Sequence, residues 1–170
     1  MSTVTEERST GQAARSKTTG SMQVVGFRLA NEEYGIEISN VREIILPGQI
    51  TRIPETPHYV KGLINLRSTV IPVIDLRVRF GMPEAEATDG RRIMVVNVGG
   101  KTVGIVVDEV SEVLRVSEGQ IAPPPPTVAD MSKEYLIGLA RLEDRLLILL
   151  DIDRILGQDA IQQVLASEVP

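Results

Sequence analysis

The chain has no cysteine, which removes disulfides, thiolate metal ligands and cysteine nucleophiles from consideration. Histidine occurs once, as His58 in a proline-flanked loop, with no second imidazole for a metal site and no nucleophile-elbow glycine pattern elsewhere. Aromatic side chains are equally scarce: no Trp, two Phe and three Tyr, poor material for stacking nucleic-acid bases. Basic residues are outnumbered, 18 Lys+Arg against 23 Asp+Glu, and a net charge of −5 is unsuited to gripping phosphate backbones. No apolar run approaches the roughly 20 residues that a bilayer span needs; Leu146 to Leu150 is the densest stretch, and the polar start at Met1 lacks a signal peptide's apolar segment. The glycines are scattered at turns rather than grouped ahead of a helix as in phosphate-binding loops. These absences predict a cytoplasmic binding module, with no enzyme activity, metal, cofactor, nucleic-acid partner or membrane insertion expected.

What is abundant is the β-branched aliphatic side chain. Val and Ile number 37 against 15 Leu, and such residues favour pleated strands. Residues 1–21, with nine Ser or Thr, read as a disordered tail; residues 158–170 read as a C-terminal tail or short helix. Between them, strand-length apolar segments recur at Val24–Leu29, Tyr34–Ile38, Ile50–Ile53, Leu63–Leu66, Val70–Asp75, Ile93–Val98, Lys101–Val107, Ile137–Leu142 and Arg145–Leu150. Gly99-Gly100 and Glu143-Asp144 read as hairpin turns. Pro72, inside one of these segments, predicts an edge or bulged strand, and Pro123 to Pro126 predict an extended loop.

The chain also repeats itself. The block from Gly62-Leu63 through Asp75 to Gly81 is echoed 76 positions later from Gly138-Leu139 through Asp151 to Gly157. Gly35-Ile36 with Val41 and Glu43 matches Gly104-Ile105 with Val110 and Glu112 at an offset of 69. A single insertion near the proline loop reconciles the two offsets. Two copies of one β-rich unit follow, about 22–86 and 87–157, each too small for a comfortable core of its own, so they should pack together around a cleft. Asp75 and Asp151 each end an apolar strand and precede a helical pattern, and are expected to cap it. Ser39 and Asp108, also at matching positions, are given the same reading.

Several strings in order then carry a family resemblance: Glu33-Tyr34-Gly35-Ile36, Val41-Arg42-Glu43-Ile44, Thr51-Arg52-Ile53-Pro54, Lys61-Gly62-Leu63-Ile64-Asn65-Leu66-Arg67, Ile71-Pro72-Val73-Ile74-Asp75-Leu76-Arg77, Gly104-Ile105-Val106-Val107-Asp108 and Leu146-Leu147-Ile148-Leu149-Leu150-Asp151. Together they resemble the CheW family of chemotaxis adaptor proteins over about residues 23–157. The resemblance implies a mostly β fold of two intertwined five-stranded β-barrel lobes with short helices around a hydrophobic groove. It implies a non-catalytic scaffold that couples the cytoplasmic tip of chemoreceptors to the histidine kinase CheA. Val41, Glu43, Ile44 and Arg67 are the receptor-facing residues it suggests, with Lys61 and Gly62 facing the kinase. Val41 and Ile44 recur as Val110 and Val113, so packing is an equal reading for both; Arg67 has no Arg at its repeat position, Glu143, which favours a role special to the first lobe.

Two departures limit the transfer. Ser68 follows Arg67 where the family usually has Gly, and Ile121 to Thr127 is mostly proline where relatives offer a second kinase contact. Alternatives are an adaptor of a non-flagellar chemosensory pathway, and a β-barrel that binds a small ligand or nucleic acid, for which a polar or basic groove would be expected.

Overall fold

The computed structural model describes residues 20–83, 86, 88–123 and 135–156. Both expected terminal segments lie almost wholly outside these residues, as do Pro124 to Pro126. Among the described residues eleven strands alternate with little else: β1 (Ser21–Leu29), β2 (Glu32–Glu37), β3 (Val41–Ile45), β4 (Val60–Leu66), β5 (Thr69–Asp75), β6 (Arg92–Val98), β7 (Lys101–Val107), β8 (Glu109–Ser117), β9 (Ile121–Ala122), β10 (Leu136–Leu142) and β11 (Arg145–Leu150). Helix α1 (Leu76–Arg79) follows β5, and α2 (Ile152–Leu156) follows β11.

The strands form two sheets, ordered β8-β1-β2-β11-β10-β9 and β3-β6-β7-β5-β4. Each takes strands from both repeat units, which meet at the antiparallel pairs β8–β1 and β3–β6 and at two parallel junctions. β2 pairs with β11 so that Gly35 lies opposite Leu149; β7 pairs with β5 so that Gly104 lies opposite Val73. Gly35 and Gly104 are repeat partners, as are Val73 and Leu149, so the two junctions are the same contact made twice. The lobes are thus intertwined, and neither repeat unit could complete its sheet alone. The sixth strand, β9, is two residues long and pairs Ala122 with Leu139; the other sheet has a single bridge, Thr51 to Leu63, at the equivalent place.

Three apolar clusters explain why the strands read as nearly continuous hydrophobic runs: side chains are buried on both faces. One set lies between the sheets and includes Val25, Phe27, Ile36, Met94, Val96, Ile105 and both helices' Leu76 and Ile152. Alternate residues face the other way, into the curl of each sheet: Ile71, Val73, Ile93 and Val95 in the five-stranded sheet, Val24, Val116, Leu147 and Leu149 in its partner.

The turn predictions fare unevenly. Gly99 and Gly100 turn β6 into β7 with φ of 56° and 80°, as expected of a two-residue hairpin. Asp75 caps α1, its carboxylate accepting from Val78 N, and Asp151 accepts from Asp153 N. Ser39 and Asp108 do not cap helices. Ser39 lies within a 3-10 turn (Ile38–Asn40) and β3 follows it; Asp108 separates β7 from β8, accepts from Ala30 N at 2.7 Å and pairs with Arg77 at 2.6 Å. Ile50–Ile53 contributes only the Thr51 bridge. Pro72 is not at an edge, since β5 lies between β7 and β4. Its neighbour across the ladder, Leu63, donates to the Thr51 carbonyl and accepts from Thr51 N on the far side, so Pro72 faces a position that needs no donor. On its other side the ladder to β7 begins only at Val73.

Candidate functional site

The residues of interest concentrate at the edges of the five-stranded sheet. β3 is one edge, and a bulge between Val41 and Glu43 sets which way its side chains point. Val41 lies opposite Val96 and Ile44 opposite Met94, both members of the inter-sheet core, while Glu43 lies opposite Val95 on the other face. Val41 is half-buried against that core. Ile44 sits at its rim with 41% of its surface exposed. Beyond it Leu46 is 69% exposed, an apolar residue that the sequence reading did not single out.

Glu43 forms an ion pair with Arg67, which stands in the β4–β5 turn at the opposite side of the sheet. The pair joins residues 24 positions apart and links the β3 edge to the β4–β5 hairpin. Arg67 and Ser68 both have positive φ, 51° and 71°, so the turn takes the left-handed conformation that a Gly at position 68 would accept without strain. Asn65 Oδ1 accepts from Ser68 N at 2.9 Å and holds that conformation.

The second lobe has its own version of the pair. Arg145, at the start of β11, donates to Glu112 of β8 at 2.6 Å and approaches the buried Glu33 to 3.4 Å. Ser111 Oγ donates to the same Glu33 at 2.9 Å. The Glu112 hydrogen bond, ahead of the neighbouring carboxylates, raises the Arg145 pKa above its already high ordinary value. Glu112 is the repeat partner of Glu43, but its cation stands two residues beyond the position that matches Arg67. The absence of an Arg at Glu143 therefore does not leave the second lobe without a cation beside this carboxylate. A comparison that tolerated a shift of two residues in the hairpin would have found it. The rims match too, for Val113, repeat partner of Ile44, is 52% exposed.

The residues suggested as kinase-facing lie on β4. Lys61 is half-buried, its Nζ 3.8 Å from Asp75 Oδ2, and Arg91 approaches the same oxygen to 3.6 Å, so two cations attend one buried carboxylate. Gly62 marks a bulge with φ 146°, and a Cβ there would lie 2.0 Å from the carbonyl oxygen of Thr51. The close approach that its missing side chain permits is made by the chain's own Thr51. Gly138 repeats the arrangement, with a bulge, and a Cβ there would lie 2.9 Å from the Ala122 carbonyl oxygen. Neither glycine is in a turn.

A cleft does lie between the lobes. Its apolar part, a cavity of about 230 Å³, is walled by Tyr34, Phe80, Tyr135, Leu139 and Ile148 among others, and none of the four receptor-facing residues lines it. Burial, with the nearby Glu32 second, pushes the Tyr34 hydroxyl pKa above its ordinary value. A wider hollow of about 780 Å³ runs along Arg52 to His58 and includes Lys61; Met82 borders both spaces. Among the described residues no cluster of three or more His or carboxylate groups converges on a point where a metal would sit, and no helix is long and apolar enough to cross a membrane.

Comparison with known proteins gives the arrangement a context. The family model described as a CheW-like domain matches residues 23–160. The chain is 44% identical over 138 residues to the chemotaxis protein CheW of Klebsiella aerogenes, covering 81% of this chain and 83% of that one. It is 37% identical, over 81% and 83% of the two chains, to the protein of the same name from Helicobacter pylori. Among solved structures, the scaffolding protein TtCheW of Thermoanaerobacter tengcongensis superposes with a TM-score of 0.75 at 37% identity, over 82% of this chain and 94% of its own. A match that runs from β1 to beyond α2, joined to a solved relative of the same shape, makes this chain a member of the CheW-like family.

Proposed function

We propose that the chain is a non-catalytic scaffold that couples chemoreceptors to the histidine kinase CheA, working in the cytoplasm at membrane receptor arrays. Relatives named as chemotaxis and scaffolding proteins support the role. The observation that carries it here is the unpartnered apolar rim of β3. Ile44 is exposed beside the half-buried Val41, and the ion-paired Glu43 and Arg67 flank them. An amphipathic helix meets such a rim by laying its apolar stripe on Val41 and Ile44 and its polar residues on the charged pair. The kinase is assigned to the β4 side, where Lys61 is half-buried beside Asp75 and Gly62 shapes the strand that carries it. Receptor and kinase thereby approach opposite edges of one sheet. The exposed rim and an apolar cleft are what a docking protein offers.

Control passes between partners by differential binding: the scaffold contacts two receptor states unequally, and the kinase responds to that difference. The test is direct association. Purified chain mixed at micromolar concentration with a CheA kinase and with a receptor-tip fragment is expected to bind each, and binding to neither overturns the proposal.

A further inference from the structure

All five aromatic side chains of this chain stand in one file, though they are spread over more than a hundred residues of sequence. Phe27 stacks on Tyr34 with ring centroids 5.8 Å apart, Tyr34 meets Phe80 at 5.9 Å, and Phe80 stacks on Tyr135 at 5.4 Å. The fifth ring, Tyr59, joins through a cation. The Arg79 guanidinium carbon lies 5.4 Å from the Tyr59 centroid and 5.6 Å from that of Tyr135. Tyr59 immediately precedes β4 of one sheet and Tyr135 immediately precedes β10 of the other, so this arginine is gripped by both lobes at once.

The duplication accounts for the two tyrosines and not for the charge between them. Tyr59 and Tyr135 are 76 positions apart, and their carbonyls accept from Asp75 N at 2.8 Å and Asp151 N at 2.9 Å respectively, the same contact made twice. The residue 76 positions after Arg79 is Ile155, which is fully buried in the core. A merely inherited packing feature would be apolar in both copies. Arg79 Nε is buried without a hydrogen-bond partner, and no carboxylate among the described residues pairs with this side chain. Its charge is held by ring faces, an attraction that strengthens as water is excluded.

We propose that Arg79 is a positioning residue, a cationic pin between Tyr59 and Tyr135 that fixes the angle between the two sheets and, through it, the geometry in which receptor and kinase are held together. The second half rests on the function proposed above, so the experiment has one readout that needs no partner. Because the chain has no native cysteine, Thr69→Cys and Asp144→Cys place one spin label on each lobe, and the distance distribution between them reads the inter-lobe angle. The expected result is a narrow distribution in the otherwise unaltered chain, one at least twofold broader with Arg79→Met, which fills the space without charge, and a return toward the narrow one with Arg79→Lys. A distribution as narrow with Met as with Arg overturns the pin, and equal broadening by Met and Lys shows that charge is not what holds it. If Arg79→Met does not fold, Tyr135→Leu is compared with Tyr135→Phe, which keeps the ring. In a kinase assay with receptor present, Arg79→Met is expected to leave each binary affinity within about twofold while lowering receptor-dependent control at least fivefold. Unchanged control overturns the coupling half; absence of control with the unaltered chain overturns the proposed function and leaves the distance measurement to decide the pin.

Discussion

Glu43→Lys separates a docking residue from a structural one, because its effects on stability and on binding should differ in size. The Glu43 side chain is 31% exposed and that of Arg67 70%, so their ion pair is largely solvated and contributes no more than about 1 kcal/mol to stability. Reversing the charge sets two cations side by side, yet solvent and salt screen them as well. Thermal unfolding should therefore move by only a few degrees. Receptor capture is another matter, since a carboxylate covered by a bound helix loses its water and a cation in its place repels what the carboxylate attracted. A loss on the order of 1 to 3 kcal/mol, roughly fivefold to 150-fold in Kd, is expected. Calorimetric titration with a receptor-tip fragment measures it. The double variant Glu43→Arg with Arg67→Glu restores the pair in reverse and should recover stability without recovering affinity. Full recovery of affinity by the swap, or unchanged affinity in Glu43→Lys, would refute the assignment of Glu43 to the receptor face.

Gly62→Ala is expected to lower stability by about 3 to 4 kcal/mol, through backbone strain and loss of the two Thr51–Leu63 hydrogen bonds, and to lower Tm by roughly 10 °C. Gly138→Ala should cost less than half of that, because the added Cβ would stand 2.9 Å rather than 2.0 Å from a carbonyl oxygen; equal losses in denaturant titration would show that the two bulges are not graded by this contact. Ser68→Gly should stabilise the chain by about 0.5 to 1 kcal/mol, relief of the left-handed strain being partly offset by a more flexible unfolded chain. The raised Tyr34 pKa means the folded protein binds that proton more tightly than the unfolded chain. Its share of stability is whole below about pH 10, the ordinary tyrosine value, and is lost as pH climbs through the raised one. Tyr34→Phe should flatten that alkaline decline, followed by denaturation midpoints above pH 9.

The duplicated β architecture was legible because the repeat is written in residues that buried strands demand, and the parallel junctions Gly35–Leu149 and Gly104–Val73 are its spatial form. What escaped the sequence were three of the four edge strands, β3, β8 and β9, whereas the fourth, β4, was read as Leu63–Leu66. In β8, Val110, Val113 and Leu114 fall at helical spacing, while Glu109, Glu112 and Arg115 supply the charge that an edge strand carries against unwanted pairing. β3 hides in the same way, its bulge at Arg42 breaking the period of two. Pro72 misled for a different reason: whether a strand position needs its donor depends on which side its neighbours bond, and the Thr51 bridge that decides this is invisible from local pattern. At the candidate site the residue types were readable and their pairing was not, since Glu43 meets Arg67 only because β3 and the β4–β5 turn lie at opposite edges of one curled sheet.

The central claim is that this molecule transmits receptor state to a kinase without chemistry of its own. The most direct measurement is the autophosphorylation rate of a CheA kinase in receptor-containing membranes, taken with and without the chain and in two receptor signalling states. The kinase rate should depend on receptor state only when the chain is present, and lose that dependence with Glu43→Lys. A kinase rate that ignores added chain, or follows receptor state equally well without it, would contradict the account.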